Sequence, residues 1–75
     1  MTVAVRSPVV GTVVEVLVAV GDVVVAGQEV AVIESMKVEI PVTALGGGTV
    51  DRLAVSAGAH VQVGDALLAL VAPDC

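Results

Sequence analysis

The stretch Gly11-Thr12-Val13 recurs as Gly48-Thr49-Val50, 37 positions further along the chain. From these two stretches the register continues without a gap and aligns glycine with glycine and aliphatic with aliphatic residues. The aligned pairs are Val16 with Leu53, Val18 with Val55, Gly21 with Gly58, Val24 with Val61, Gly27 with Gly64, Val30 with Leu67 and Ile33 with Leu70. A repeat of this kind indicates a fold made from two copies of one unit.

The repeat also predicts how the chain is divided. If the second copy closes near Val71, the first closes near residue 34 and the second opens near residue 38. We therefore expect a single domain over residues 1–75, with a core over about 3–71, repeat units over about 1–34 and 38–71, and a short tail over 72–75. Ser35, Met36 and Lys37 form the join between the units and have no counterpart in either copy.

The composition favours strands over helices. Of the 75 residues, 57% are hydrophobic, valine dominates, and there is no aromatic residue. Valine packs well on a pleated sheet because its branched side chain loses little freedom there. Short apolar runs separated by closely spaced turn signals, without helical periodicity, are typical of a small β-sandwich or flattened barrel. We expect an all-β fold with a pseudo-twofold axis, which puts the join at one end and both chain termini at the other. The predicted strands cover residues 3–5, 12–18, 23–25, 29–34, 38–43, 49–55, 61–63 and 66–71.

The charge and the lengths of the apolar runs argue against two classes of partner. Eight acidic and three basic residues give a net charge of −5, whereas binding to nucleic-acid phosphates requires a basic surface. No apolar run reaches the roughly 18 residues that a membrane-spanning helix needs. The first residues also lack the pattern of a signal peptide. We therefore expect a cytoplasmic protein that binds neither nucleic acid nor membrane.

Lys37, within the join, is the only lysine of the chain; the other basic residues are Arg6 and Arg52. A primary amine can be acylated to a stable amide, so a sole lysine in a specific context is a candidate attachment point. Most lysines are simply solvated, but this one follows Met36 where a tight turn is expected. Two-residue hairpin turns favour glycine, asparagine or aspartate, which tolerate positive φ. Because this turn breaks that rule at the centre of a regular repeat, it is a candidate functional site.

The residues around Lys37 also carry a family resemblance. The stretch 34–42, Glu-Ser-Met-Lys-Val-Glu-Ile-Pro-Val, resembles the modification site of biotinyl domains, in which methionine precedes the attached lysine. The resemblance covers residues 3–71 and is carried further by segments 7–13, 20–22, 27–28, 48–50 and 63–65. It is greatest to small free-standing biotin/lipoyl attachment proteins. Val38, where the family most often has methionine, and Ser35, often alanine there, depart from the family pattern.

This resemblance implies a barrel-sandwich hybrid of two four-stranded antiparallel sheets, with the modified lysine on an exposed hairpin. It implies biotin as a covalent cofactor on Lys37, attached by a biotin protein ligase that recognises the surrounding residues Met36, Val38, Glu34 and Ser35. It also implies a carrier and not an enzyme. The bound cofactor would shuttle a carboxyl group between a biotin carboxylase and a carboxyltransferase, as in acyl-CoA carboxylases.

Two alternatives stay open at this point. A lipoyl carrier shares the fold, the repeat and the lysine, but lipoyl domains usually have aspartate where this chain has Met36. An unmodified β-module used for binding or assembly needs no acylated lysine. The sequence contains no metal-binding spacing, phosphate-binding loop or nucleophile triad that would support an enzyme.

Four further residues are candidates for chemistry, and each has a simpler interpretation. His60, the only histidine, is expected in the turn after Gly58 and is assigned no role. Cys75, the only cysteine, is the last residue and cannot form an internal disulfide. Asp22 and Asp65 each follow a glycine, where Asx turns are expected.

Overall fold

The computed structural model describes residues 2–72, which form eight β-strands and no helix. The strands are β1 (Thr2–Arg6), β2 (Gly11–Val16), β3 (Val23–Val24), β4 (Glu29–Ser35), β5 (Val38–Thr43), β6 (Gly48–Leu53), β7 (His60–Val61) and β8 (Ala66–Val71). The all-β prediction is confirmed. Four strands end one or two residues earlier than predicted, at Val16, Val24, Leu53 and Val61. Met1 and the tail residues 73–75, including Cys75, lie outside the described residues. Over residues 2–72 the fold offers no helix of the length and apolarity needed to cross a bilayer.

The strands form two four-stranded antiparallel sheets, ordered β1-β8-β6-β3 and β5-β4-β2-β7. Each strand of one sheet corresponds to the strand 37 residues away in the other: β1 to β5, β8 to β4, β6 to β2 and β3 to β7. The internal pseudo-twofold symmetry predicted from the repeat is therefore confirmed. The edge strands β1 and β5 share a groove around Val5 and Val42. Val5 and Val42 lie near the C-terminal ends of their strands, so the two symmetry-related strands extend from the groove in opposite directions. Thr2, which pairs with Val71 at the start of β1, and the β4–β5 turn at the start of β5 therefore lie at opposite ends of the molecule.

The core between the sheets is aliphatic and repeats the symmetry residue by residue. Its buried members include the repeat-related pairs Val5 with Val42, Val13 with Val50, Val24 with Val61, Val30 with Leu67, Ala31 with Leu68, and Ile33 with Leu70. Full burial of one such side chain contributes roughly 1.5–3 kcal/mol. Both repeat units therefore supply the core in equal measure, and the stability of this small domain rests on dense packing of branched side chains.

Backbone hydrogen bonds connect a turn of each repeat unit to a strand of the other unit. The Gly21 N–H donates to the Val50 carbonyl at 2.8 Å, and the Gly58 N–H donates to the Val13 carbonyl at 2.7 Å. Both glycines have positive φ, 97° and 94°. The two turn glycines that the repeat aligns therefore have the same left-handed backbone conformation.

Asp22 and Asp65 are structural, as the sequence indicates, but their contacts differ from an Asx turn. The Asp22 carboxylate accepts the N–H of Ala19 at 2.9 Å, and the Asp65 carboxylate accepts the N–H of Gln62 at 2.9 Å. Each side chain reaches back three residues, not forward two. The carboxylates therefore close the turns that contain the neighbouring glycines.

The packing departs from the symmetry around Gly46. An apolar cavity of about 40 Å³ is lined by Val3, Ala4, Val5, Leu45, Gly46, Gly47, Leu70 and Ala72. The repeat equivalent of Gly46 is Val9, whose side chain packs against the core at the other end of the domain. The cavity lies where the second unit lacks the side chain that the first one has.

Replacing Gly46 with valine is expected to stabilise the protein. A Cβ on Gly46 meets no atom within 4 Å, and its φ lies outside the left-handed region. Loss of backbone freedom in the unfolded chain alone contributes about 0.4–1 kcal/mol, and the added methyl groups can fill the cavity. Denaturant unfolding followed by far-ultraviolet circular dichroism measures the change, with Gly46→Ala as the control. A midpoint for Gly46→Val no higher than that of Gly46→Ala would show that the cavity is not filled.

Candidate functional site

The site is built on the hairpin that joins β4 to β5. The last cross-strand pair is Ser35 with Val38, so the connection is the two-residue turn Met36-Lys37. Met36 has a φ of 52° and Lys37 a φ of 67°, and within residues 2–72 they are the only non-glycine residues with positive φ. This is the pattern of a type I′ turn. Ser35 is the last residue of β4, one residue beyond the predicted strand 29–34, because its pairing with Val38 extends the ladder with β5.

The turn holds two side-chain-bearing residues in a costly conformation. A left-handed backbone costs an L-residue roughly 1–2 kcal/mol. The cost is offset by the ladder of β4 and β5, which runs from Glu29 opposite Thr43 to the pair next to the turn. Backbone strain of this kind, imposed by the surrounding structure, is a recurrent property of functional sites.

The tip of the hairpin is open to solvent. The Met36 side chain is 93% exposed, Lys37 is exposed, and Val38 is 59% exposed. The pairing of β4 with β2 ends at Glu34, so the residues beyond it are held by β5 alone. The Lys37 amine therefore projects from the end of the domain, where a large modifying enzyme can approach it.

Two carboxylates stand directly behind the tip. Glu34 of β4 is paired with Glu39 of β5, and both side chains are exposed. They alternate with Ser35 and Val38 and so occupy the opposite face of the hairpin. Acylation of Lys37 would remove the one positive charge at the tip and leave this acidic pair.

Two other polar residues, Thr12 and His60, lie in the same sheet at this end of the domain. Thr12 lies between Glu34 on β4 and His60 on β7, in one row across the sheet. His60 is therefore in a strand and not in a turn as predicted, because the short β7 ladder begins at this residue. Among the described residues there is no cluster of three or more histidine, cysteine, aspartate or glutamate side chains that could hold a metal ion.

The sequence reasoning missed one neighbour of the hairpin. An ideal Cβ built on Gly11 would lie within overlap distance of the Glu34 carbonyl oxygen. The available signal was the alignment of Gly11 with Gly48 at the head of both repeats. That alignment marks a backbone requirement but does not say what the requirement is.

Comparison with known proteins points to one family. The profile of the Biotin_lipoyl family, described as biotin-requiring enzyme, matches residues 3–70. The chain is 43% identical over 67 residues to a biotinylated protein TB7.3 homolog of Mycobacterium leprae, covering 89% of this chain and 93% of that protein. It is 41% identical over 64 residues to the biotin carboxyl carrier protein of Streptococcus mutans, covering 85% of this chain and 49% of that one.

Larger proteins contain the same unit as a small part. The chain is 48% identical over 64 residues to a biotin-dependent acyl-coenzyme A carboxylase alpha3 subunit of Mycobacterium leprae, covering 85% of this chain but 11% of that subunit. The solved structure of a single-chain, multi-domain long-chain acyl-CoA carboxylase matches with a TM-score of 0.90 and 34% identity, over 97% of this chain and 7% of that chain. The chain thus spans about a tenth or less of these two larger proteins.

Proposed function

This chain belongs to the family of biotin/lipoyl attachment domains, and from that premise we propose that Lys37 is the residue to which biotin is attached. It is a biotin carrier domain and not a catalyst. The observation that supports Lys37 is its position: the sole lysine occupies a strained, exposed two-residue turn at the end of the hairpin. A biotin protein ligase joins the cofactor to the Nζ atom as an amide.

The chain's own residues suit this role. The four-carbon stem of Lys37 supplies a flexible tether, while the stiff ladder behind the turn fixes its starting point. Met36 and Val38 present apolar side chains to solvent on either side of the amine. With Glu34 and Ser35 they form the surface that the ligase reads. Biotin, when bound, supplies a ureido ring that accepts a carboxyl group and passes it on.

The partners follow from the carrier role. The domain delivers the cofactor to a biotin carboxylase and then to a carboxyltransferase of an acyl-CoA carboxylase system. Tethering the cofactor raises its effective concentration at both active sites without any new contact. The net charge of −5 disfavours nucleic acid, and a cytoplasmic location brings the domain together with its ligase.

Carboxylation of the loaded domain tests this function. The protein is modified by a biotin ligase and incubated with a biotin carboxylase, ATP and labelled bicarbonate, with the unmodified protein as the control. Label bound to the modified protein alone, and transferred on addition of carboxyltransferase and an acyl-CoA, is the expected result. A biotinylated domain that takes up no label would contradict the carrier function, and a domain that the ligase leaves unmodified would favour the unmodified β-module.

Substituting Met36 with aspartate is expected to lower the rate of biotinylation and to admit lipoylation. Aspartate is usual before the lysine in lipoyl domains, and Met36, at 93% exposure, is available to a ligase. Time courses with a biotin ligase and with a lipoyl ligase, followed by intact mass, measure both effects. Met36→Leu, which keeps an apolar side chain, is the control. If the aspartate variant and the parent were biotinylated at equal rates, the ligase would be reading the shape of the hairpin and not this side chain.

A further inference from the structure

Gly11 approaches the base of the Lys37 hairpin more closely than any side chain would allow. A Cβ at this position would overlap the Glu34 carbonyl oxygen, and it would lie 3.0 Å from Cγ2 of Ile33 and 3.1 Å from the Glu34 carbonyl carbon. Two of these three atoms are backbone. Only glycine therefore lets β2 begin at this distance from β4 without displacing it.

The neighbours of Gly11 differ in their freedom to move. Ile33 is 0% exposed and belongs to the packed core, so its side chain cannot give way cheaply. Glu34 is exposed and is the last residue of β4 that pairs with β2. A side chain at position 11 would consequently push the Glu34 backbone outwards. Residues 35–38, held by β5 alone, would move with it.

We propose that Gly11 is a positioning residue for cofactor attachment: the close contact of β2 with Glu34 fixes the base of the hairpin and thereby the place at which Lys37 is presented. This inference rests on the proposed attachment of biotin to Lys37. The atoms that crowd position 11 belong to Ile33 and Glu34 and not to the turn, so Gly11 acts through the backbone of β4. The strained turn sets the direction in which Lys37 leaves the hairpin, and Gly11 sets the position of the hairpin relative to β2.

The pseudo-twofold symmetry supplies a matched control. Gly48, the repeat equivalent of Gly11, would place a Cβ 2.7 Å from the Val71 carbonyl oxygen and 3.3 Å from its carbonyl carbon. The strain on the fold is of the same kind, but it falls on the end of β8, which is opposite Thr2 in the ladder with β1. Gly48→Ala therefore tests the cost of a crowded backbone at the end of the domain remote from Lys37.

The experiment compares Gly11→Ala with Gly48→Ala at a temperature where both are folded. We expect Gly11→Ala to lower kcat/KM for biotinylation about tenfold or more, and Gly48→Ala to leave it within about twofold of the parent. The size follows from the cost of misplacing a reacting group, which reaches about 100-fold for a shift of about 1 Å. Backbone amide chemical shifts provide a readout independent of the ligase: Gly11→Ala should perturb residues 35–38, and Gly48→Ala should perturb residues 2 and 71.

Each outcome decides between the possibilities. Equal rates for the two variants would overturn the positioning role, whatever the amide shifts at residues 35–38. If the parent itself is not biotinylated, the proposed function fails, and the amide shifts still decide whether Gly11 fixes the hairpin. If Gly11→Ala does not fold, both variants are made in the stabilised Gly46→Val background. Failure of Gly11→Ala to fold there, with Gly48→Ala folded, would make the role of Gly11 purely structural and would also overturn the proposal.

Discussion

Replacing Lys37 with alanine is expected to abolish biotin attachment completely and to leave the free energy of unfolding within about 0.5 kcal/mol of the parent. No other lysine is present to accept the cofactor. The side chain is exposed at the tip of the hairpin, so its removal exposes no core. Intact mass after incubation with a biotin ligase measures attachment, and far-ultraviolet circular dichroism in a denaturant series measures stability.

The matched control for this substitution is Lys37→Arg. Arginine keeps the positive charge and a long stem but has no amine that can form the amide. It should lose biotin as completely as the alanine variant. Streptavidin binding by either variant would place the cofactor elsewhere, and a large loss of stability in either would contradict an exposed, non-packing side chain.

Replacing Gly21 with valine is expected to destabilise the protein by about 1–3 kcal/mol, because a β-branched residue is strained in the left-handed region. Gly21 has a φ of 97°, and its N–H is bonded to Val50 of the other repeat unit. Gly58→Val should behave alike, since its φ is 94°. Against a total of about 5–15 kcal/mol for a typical domain, the loss is easily measured.

Ala57→Val is the control for the turn substitutions. Residue 57 precedes Gly58, is exposed, and has Val20 as its repeat equivalent, so the fold already accepts valine at this place in the other turn. Its unfolding midpoint should stay close to that of the parent. The chain has no aromatic residue, so dichroism or amide NMR must follow the transition. Equal midpoints for Gly21→Val and Ala57→Val would show that the strained turn does not limit stability.

Most of the fold could be predicted because the repeat carries it. Residues that lie 37 positions apart and are aligned by the repeat, such as Val13 with Val50 and Ile33 with Leu70, are buried together in one core. The two units present the same apolar positions to the core because their strands take equivalent places in the two sheets. The bounds predicted for β5 and β8, residues 38–43 and 66–71, are also confirmed.

The conformation of the hairpin turn could not be predicted from local preference. Nothing in Met36 or Lys37 favours positive φ, and the conformation is imposed by the pairing of the strands on either side. The role of each pair of aligned glycines could not be predicted from the sequence either. Gly21 and Gly58 serve left-handed turns, whereas Gly11 and Gly48 serve close backbone contacts, and the two needs look alike in sequence.

The most direct test of the central claim is tryptic cleavage of the biotinylated protein. Trypsin cuts after lysine and arginine, and the chain offers Arg6, Lys37 and Arg52. Because an acylated lysine is no longer a cleavage site, biotin on Lys37 predicts a single peptide over residues 7–52 that carries one biotin, while the unmodified protein yields peptides 7–37 and 38–52. Fragment ions should place the added mass on Lys37. Efficient cleavage after Lys37 in protein that carries biotin, or biotin on any other peptide, would contradict the account.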